Sequence, residues 1–192
     1  MYKITVLKVV VLTLFFCFSG SSFAAAVSVF ARATKYDGGD KNTDEGRTST
    51  KVMLRKSTQK TIGIVAVDPD KIPYGSLVYS PCTNRFFLAC DFGEAVVKRT
   101  AAKQIAKKKG LPKKYSNALV LDFYSSREIL DEHFGEFYVV KHNGEKPFIK
   151  LHKEYQDLRL KPKFWIDKIK KMEKNEELEE IKESLLNMSS SK

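Results

Sequence analysis

Metal-ligating and redox residues are scarce in this chain. Three histidines and three cysteines are spread over 192 residues. His133, His142 and His152 match no zinc-ligand spacing, so no metal ion is expected, and no other cofactor either. No Gly-x-Ser-x-Gly elbow occurs, which removes that serine-hydrolase arrangement. Long apolar runs are lacking too: the longest, over residues 9–18, falls short of the roughly twenty residues that span a bilayer. Long internal repeats are absent. Acid is the scarcer charge, with 23 Asp and Glu against 34 Lys and Arg and a net charge of +11. What is abundant is core material: 43% of residues are hydrophobic, 13 Phe and 8 Tyr among them, enough for one packed domain.

The first residues stand apart. Lys3 and Lys8 precede the apolar run, and Ser19-Gly20-Ser21-Ser22-Phe23-Ala24-Ala25-Ala26 follows it. A charged start, a short apolar stretch and small residues predict a secretory signal peptide over residues 1–26, cut after Ala24 or Ala26. Cys17 does not read as a lipidation site, because bulky Phe16 precedes it. Removing residues 1–24 takes away two of the 34 cations and none of the 23 acids, leaving +9. A basic protein exported to the periplasm, envelope or medium meets the carboxylates and phosphates of the bacterial wall. Export argues against nucleic acid, and membrane contact is expected only through the leader. Cys82 and Cys90 remain, and in an oxidising compartment they permit one disulfide closing a short loop; the alternative is two free core thiols.

Residues 27–34 alternate by twos, with Val27, Val29, Ala31 and Ala33 on one face, which predicts a strand. Residues 35–60 are turn formers and charges, hence a loop. Further strands are expected at 62–67, 77–80, 86–90, 118–123 and 137–141, with another at 147–151 beyond the turn signal Asn143-Gly144. Thr100 is placed to cap a helix over 101–109 that ends at Gly110, with Pro112 beyond. Ser125 and Glu128 form a capping box for a helix reaching His133 and stopped by Gly135. Residues 153–192 form a charged, helical extension. Trp165, Ile169 and Met172, then Leu178, Ile181 and Leu185, recur at helical spacing there, a stripe for the barrel or for a partner protein. The aggregate is mainly β, a barrel with inserted helices and a C-terminal helix.

Three aspartates are the candidates for chemistry. Asp68 ends an apolar run, Asp91 follows Phe86-Phe87-Leu88-Ala89-Cys90, and Asp122 lies between Leu121 and Phe123. A carboxylate inside an apolar run must be hydrogen-bonded, paired or protonated, because burying it bare costs several kcal/mol. Flanked by large apolar residues, Asp122 is the one expected to hold a proton. Lysines and one arginine crowd residues 98–114 into a basic patch, which reads either as a solvated helix face or as a contact for a wall polymer.

Ala66-Val67-Asp68-Pro69 leading to Ile72-Pro73-Tyr74-Gly75 resembles the signature of the three-aspartate (3D) domain. Asp91-Phe92-Gly93-Glu94-Ala95-Val96 resembles that family's Asp-Thr-Gly-Gly-Ala-Ile block, and Leu121-Asp122-Phe123-Tyr124 its Ile-Asp-Leu-Tyr segment. Ala33-Thr34-Lys35-Tyr36 and Thr48-Ser49-Thr50 are similar to its opening strand and Thr-x-Thr segment. The resemblance covers residues 29–141. The helix over 100–109 separates Asp91 from Asp122 more widely than the family pattern does, Glu94 stands where the family has glycine, and so does Lys51. The resemblance implies a six-stranded double-psi β-barrel over residues 27–152, as in the catalytic part of membrane-bound lytic transglycosylase A. It further implies cleavage of the MurNAc–GlcNAc bond of peptidoglycan glycan strands to a 1,6-anhydro product. One carboxyl serves there as general acid and then base, and it must be protonated near neutral pH. Asp122 is expected to be that acid, Asp91 its charged neighbour, and Asp68 the residue that orders the Pro69–Gly75 turn. The alternative is a non-catalytic barrel that binds the same glycan.

Overall fold

A computed structural model describes residues 26–37, 47–50, 52–55, 61–124, 131–140, 167, 170–171, 173–174 and 177–190. The expected signal peptide, the Asn143-Gly144 hairpin and Trp165, Ile169 and Met172 lie outside them. Among the described residues there are six strands: β1 (Ala26–Tyr36), β2 (Gly63–Ala66), β3 (Leu77–Ser80), β4 (Arg85–Asp91), β5 (Leu119–Tyr124) and β6 (Phe134–Val140). Three helices, α1 (Glu94–Val97), α2 (Thr100–Lys108) and α3 (Lys113–Ser116), stand between β4 and β5, and α4 (Glu177–Ser190) follows the barrel.

The strands close in the order β1-β5-β2-β4-β3-β6. β1 and β5 run parallel, as do β2 and β4, and every other neighbouring pair is antiparallel. Exchanging β1, β2 and β3 for β4, β5 and β6 leaves both order and direction unchanged. The barrel is therefore two interlocked halves of three strands, the expected closed, mainly β architecture.

Period two decides what fills it. On β5, Leu121 and Phe123 point into the barrel, where Phe123 packs edge-on against Phe87 at 4.6 Å and near Phe137 at 5.6 Å. Each large side chain removed from water in this way contributes about 1.5–3 kcal/mol. The alternate residue Val120 points outward and joins Ala66, Val96, Ala102 and Ala118 in a smaller cluster beneath α1 and α2. β3 and β4 are buried along almost their whole length. α4 adds to the same core: Leu185 is 2% exposed within the barrel's cluster, and Leu178 and Ile181 pack beside it. Glu173 adds an acceptor for the Ile62 N–H at 3.1 Å and an ion pair with Arg55 at 2.6 Å. Of the two uses open to the tail's apolar stripe, its second half serves the barrel.

Three expectations need correction. Thr100 is the first helical residue of α2 and not its cap; the cap position is Arg99, in the left-handed region with φ 56° and no side-chain capping bond. Gly110 does end the helix as expected, with φ 60° and the Leu111 N–H bonded back to the Ala106 carbonyl at 2.9 Å. The helix expected to reach His133 does not: residues 131–133 are irregular, β6 begins at Phe134, and the His133 carbonyl accepts from the Ala33 N–H at 2.8 Å. Cys82 and Cys90 are free thiols. Ser80 pairs with Arg85, so Cys82 sits in the turn while Cys90 lies five residues along β4 from Arg85. At about 3.3 Å per residue that is roughly 17 Å, far beyond the ~7 Å Cα separation a disulfide tolerates.

Candidate active site

Asp91 and Asp122 are brought to one level of the barrel by a shared neighbour. Ala66 pairs with Asp91 on the parallel side and with Asp122 on the antiparallel side. Two strand spacings of about 4.8 Å put the two Cα atoms roughly 10 Å apart. A bulge makes this alignment. Val65 pairs with Ala89 but Ala66 with Asp91, so Cys90 is the extra residue and the end of β4 is re-aimed.

Asp91 is 8% exposed and accepts three hydrogen bonds. The Ser49 N–H donates to Oδ1 at 2.7 Å, the Phe92 N–H to the same oxygen at 2.9 Å, and the Tyr36 hydroxyl to Oδ2 at 2.9 Å. All three partners donate, so Asp91 serves purely as an acceptor. The Thr48-Ser49-Thr50 segment is held in place by its own hydroxyls. Thr48 Oγ1 and Thr50 Oγ1 are 2.9 Å apart, Thr48 Oγ1 accepts from the Val52 N–H at 3.0 Å, and Thr50 donates to the Cys90 carbonyl. Burial, then the charge and hydrogen bond of Asp91, push the Tyr36 phenol far above its ordinary range and keep it a donor. Burial and then Asp91 likewise raise the Cys90 thiol, which is therefore inert.

Asp122 is only partly buried. Its neighbour across the β1–β5 pair is Thr34, whose hydroxyl donates to Oδ1 at 2.6 Å. The expected apolar surroundings are corrected here: Leu121 and Phe123 flank Asp122 in sequence but face the barrel interior, while Asp122 shares the outer face with Val120. Its environment is instead Thr34, Ala66 and the field of Tyr36. The inserted helices cover Ala66 and Val120 and leave Asp122 partly open to solvent.

Asp68 does not join the pair. Its Oδ1 accepts from the Asp70 N–H at 3.1 Å and its carbonyl from the N–H groups of Lys71 and Ile72, so it orders the turn after β2. Glu94 is exposed and tied to Lys98, whose hydrogen bond and charge lower its pKa. Among the described residues no cluster of three or more His, Cys, Asp or Glu is arranged for a metal.

Thr34, Tyr36 and Ser49 complete the site, and sequence reasoning assigned them no role. The signal for the first two was the alternation of β1: with Ala31 and Ala33 inward, Thr34 and Tyr36 share the opposite face. No protein-family model matches this chain, and no curated protein matches it.

Proposed function

We propose that this chain is an exported cell-wall protein of the three-aspartate type that cleaves the MurNAc–GlcNAc bonds of peptidoglycan glycan strands. The observation that carries the reading is the carboxylate pair about Ala66. One member, Asp91, is buried under three donors, and the other, Asp122, is accessible and hydrogen-bonded to Thr34.

Asp122 is the group a substrate can reach, so it takes the role of acid. It gives its proton to the bridging oxygen as the C1–O bond breaks, and GlcNAc leaves as an alcohol. The resulting carboxylate takes the proton of the MurNAc 6-hydroxyl, whose oxygen closes onto C1. Atoms balance without water, and Asp122 ends as it began. Asp91 acts from behind Ala66 as the charged neighbour of the pair, oriented by Tyr36. Acid–base assistance of this kind supplies about 10²–10⁴-fold in rate.

A non-catalytic glycan-binding barrel is the second reading, favoured by the withdrawal of Asp91 beneath its donors and by the helices over Ala66. Purified sacculi incubated with the protein separate the two. Soluble 1,6-anhydro-muropeptides detected by mass spectrometry support the enzyme; co-sedimentation without release supports the binding module.

A further inference from the structure

The excursion between β4 and β5 separates Asp91 from Asp122 and has a composition unlike the rest of the chain. Between Glu94 and Asp122 the sequence holds eight Lys and Arg and no Asp or Glu. Glu94 itself is taken by Lys98. On α2 the packed side is Ala102 and Ala106, and Lys103, Lys107 and Lys108 are exposed on the opposite arc. Lys109, Lys113 and Lys114 continue the exposed row across the turn into α3.

This row is anchored by an aromatic cluster under α3. Phe30, Tyr115 and Phe134 form a ring cluster with centroids 5.0–6.0 Å apart, joining α3 to β1 and β6. Lys114 Nζ lies 4.7 Å from the Phe30 ring centre, and the Arg99 guanidinium donates to the Asn117 carbonyl at 3.1 Å. Like charges crowded this closely repel one another, which an acidic partner relieves. Seven of the eight are lysines. An ammonium is a point charge with rotatable donors and imposes no planar fork, so it suits phosphates at variable positions better than one fixed carboxylate. Phe92 and Val97 are the large apolar side chains exposed near the start of the insertion, and neither lies on α2. That favours a soluble polymer over a lipid surface, which calls for an apolar face beside the cations.

We propose that the lysine face of α2 and α3 docks a linear phosphodiester polymer of the cell wall. The choice of a wall polymer rests on the exported, wall-directed reading above; the binding itself does not depend on glycan cleavage.

The test is binding of the purified protein to soluble poly(glycerol phosphate) across a salt series. A patch variant carries Lys103→Gln, Lys107→Gln, Lys108→Gln and Lys113→Gln. A control variant with the same charge change carries Lys71→Gln, Lys170→Gln, Lys171→Gln and Lys174→Gln, all exposed positions outside the insertion. Wild type should bind and weaken steeply with salt. The patch variant should bind about tenfold or more weakly, with a salt slope flatter by up to about 3, at roughly 0.7–0.9 for each phosphate no longer neutralised. The control should stay within about threefold of wild type. Equal losses in the two variants would reduce the effect to net charge and overturn the proposal, as would no wild-type binding at low salt. Tighter binding to phosphatidylglycerol vesicles, or at least tenfold tighter binding to DNA of equal phosphate count, would overturn it in favour of a membrane or nucleic acid. Asp122→Asn should bind the polymer as wild type does, so loss of muropeptide release leaves this result standing.

Discussion

Asp91→Ala removes the acceptor around which one side of the site is built. Three donors lose their partner: the Ser49 N–H, the Phe92 N–H and the Tyr36 hydroxyl. Phe92 is exposed, so water can replace that bond. The other two donors lie in partly buried surroundings, and each costs about 1–3 kcal/mol when orphaned, giving about 2–6 kcal/mol in total. That is a large share of the 5–15 kcal/mol typical of a folded domain. Asp91→Asn keeps an oxygen for the two amides and turns its NH₂ toward Tyr36, whose hydroxyl can accept, so about 0.5–1.5 kcal/mol is expected. Tyr36→Phe removes one donor and should cost a similar amount. Urea unfolding at a constant m-value reads all three as midpoint shifts. The double variant Tyr36→Phe/Asp91→Asn should show coupling of about 0.5–1.5 kcal/mol. An Asp91→Ala protein within about 0.5 kcal/mol of wild type would refute this account of the hydrogen bonds.

Three further outcomes follow from the packing. Leu185→Ala should cost about 2–5 kcal/mol, and truncation before Glu177 more, because Leu185 lies within the barrel's own cluster; unchanged urea midpoints would detach the tail from the core. Stability should fall at alkaline pH. The unfolded chain ionises Cys90 near 9.0 and Tyr36 near 10.0, while burial holds both protonated in the fold, so their contribution is complete below about pH 9 and is lost as pH rises, by up to about 1.4 kcal/mol per unit for each group. Cys90→Ala should abolish the part of that loss between 9.0 and 10.0, and a midpoint flat to about pH 11 would contradict both assignments. Under native conditions a maleimide should label Cys82 quickly and Cys90 only after unfolding; equal labelling rates would contradict their placement.

The strands were legible because their boundaries are written in local chemistry. Asp68-Pro69 ends the β2 run, Pro81-Cys82-Thr83-Asn84 makes the β3–β4 turn, alternation puts Ala31 and Ala33 on the inner face of β1, and an apolar run marks β5. β6 was read short because Ser125, Glu128 and Gly135 carry helix signals, whereas pairing with β1 decides the structure. Gly135 has a different setting in the strand: a Cβ there would meet the His133 ring at 3.1 Å, so a larger residue would have to displace that ring slightly. Asp122 was found for an incomplete reason. Its sequence neighbours are apolar, but in a strand they face the other way, and the residues that surround it come from β1 and β2. Such partners depend on register between distant segments, which no local pattern encodes. The same holds for Cys82 and Cys90, close in sequence and a strand's length apart in space. The tail's stripe was visible as a stripe, and only packing decides what it covers.

We propose Asp122 as the accessible acid of a wall-cleaving pair. Its most direct test is muropeptide release from sacculi by wild type, Asp122→Asn and Asp91→Asn, each checked for folding and sacculus binding. Replacing Asp122 by Asn keeps the shape and removes the transferable proton. That variant should bind sacculi normally and release anhydro-muropeptides about 10²-fold more slowly or not at all, with Asp91→Asn impaired less. Release by folded Asp122→Asn at the wild-type rate would contradict the assignment.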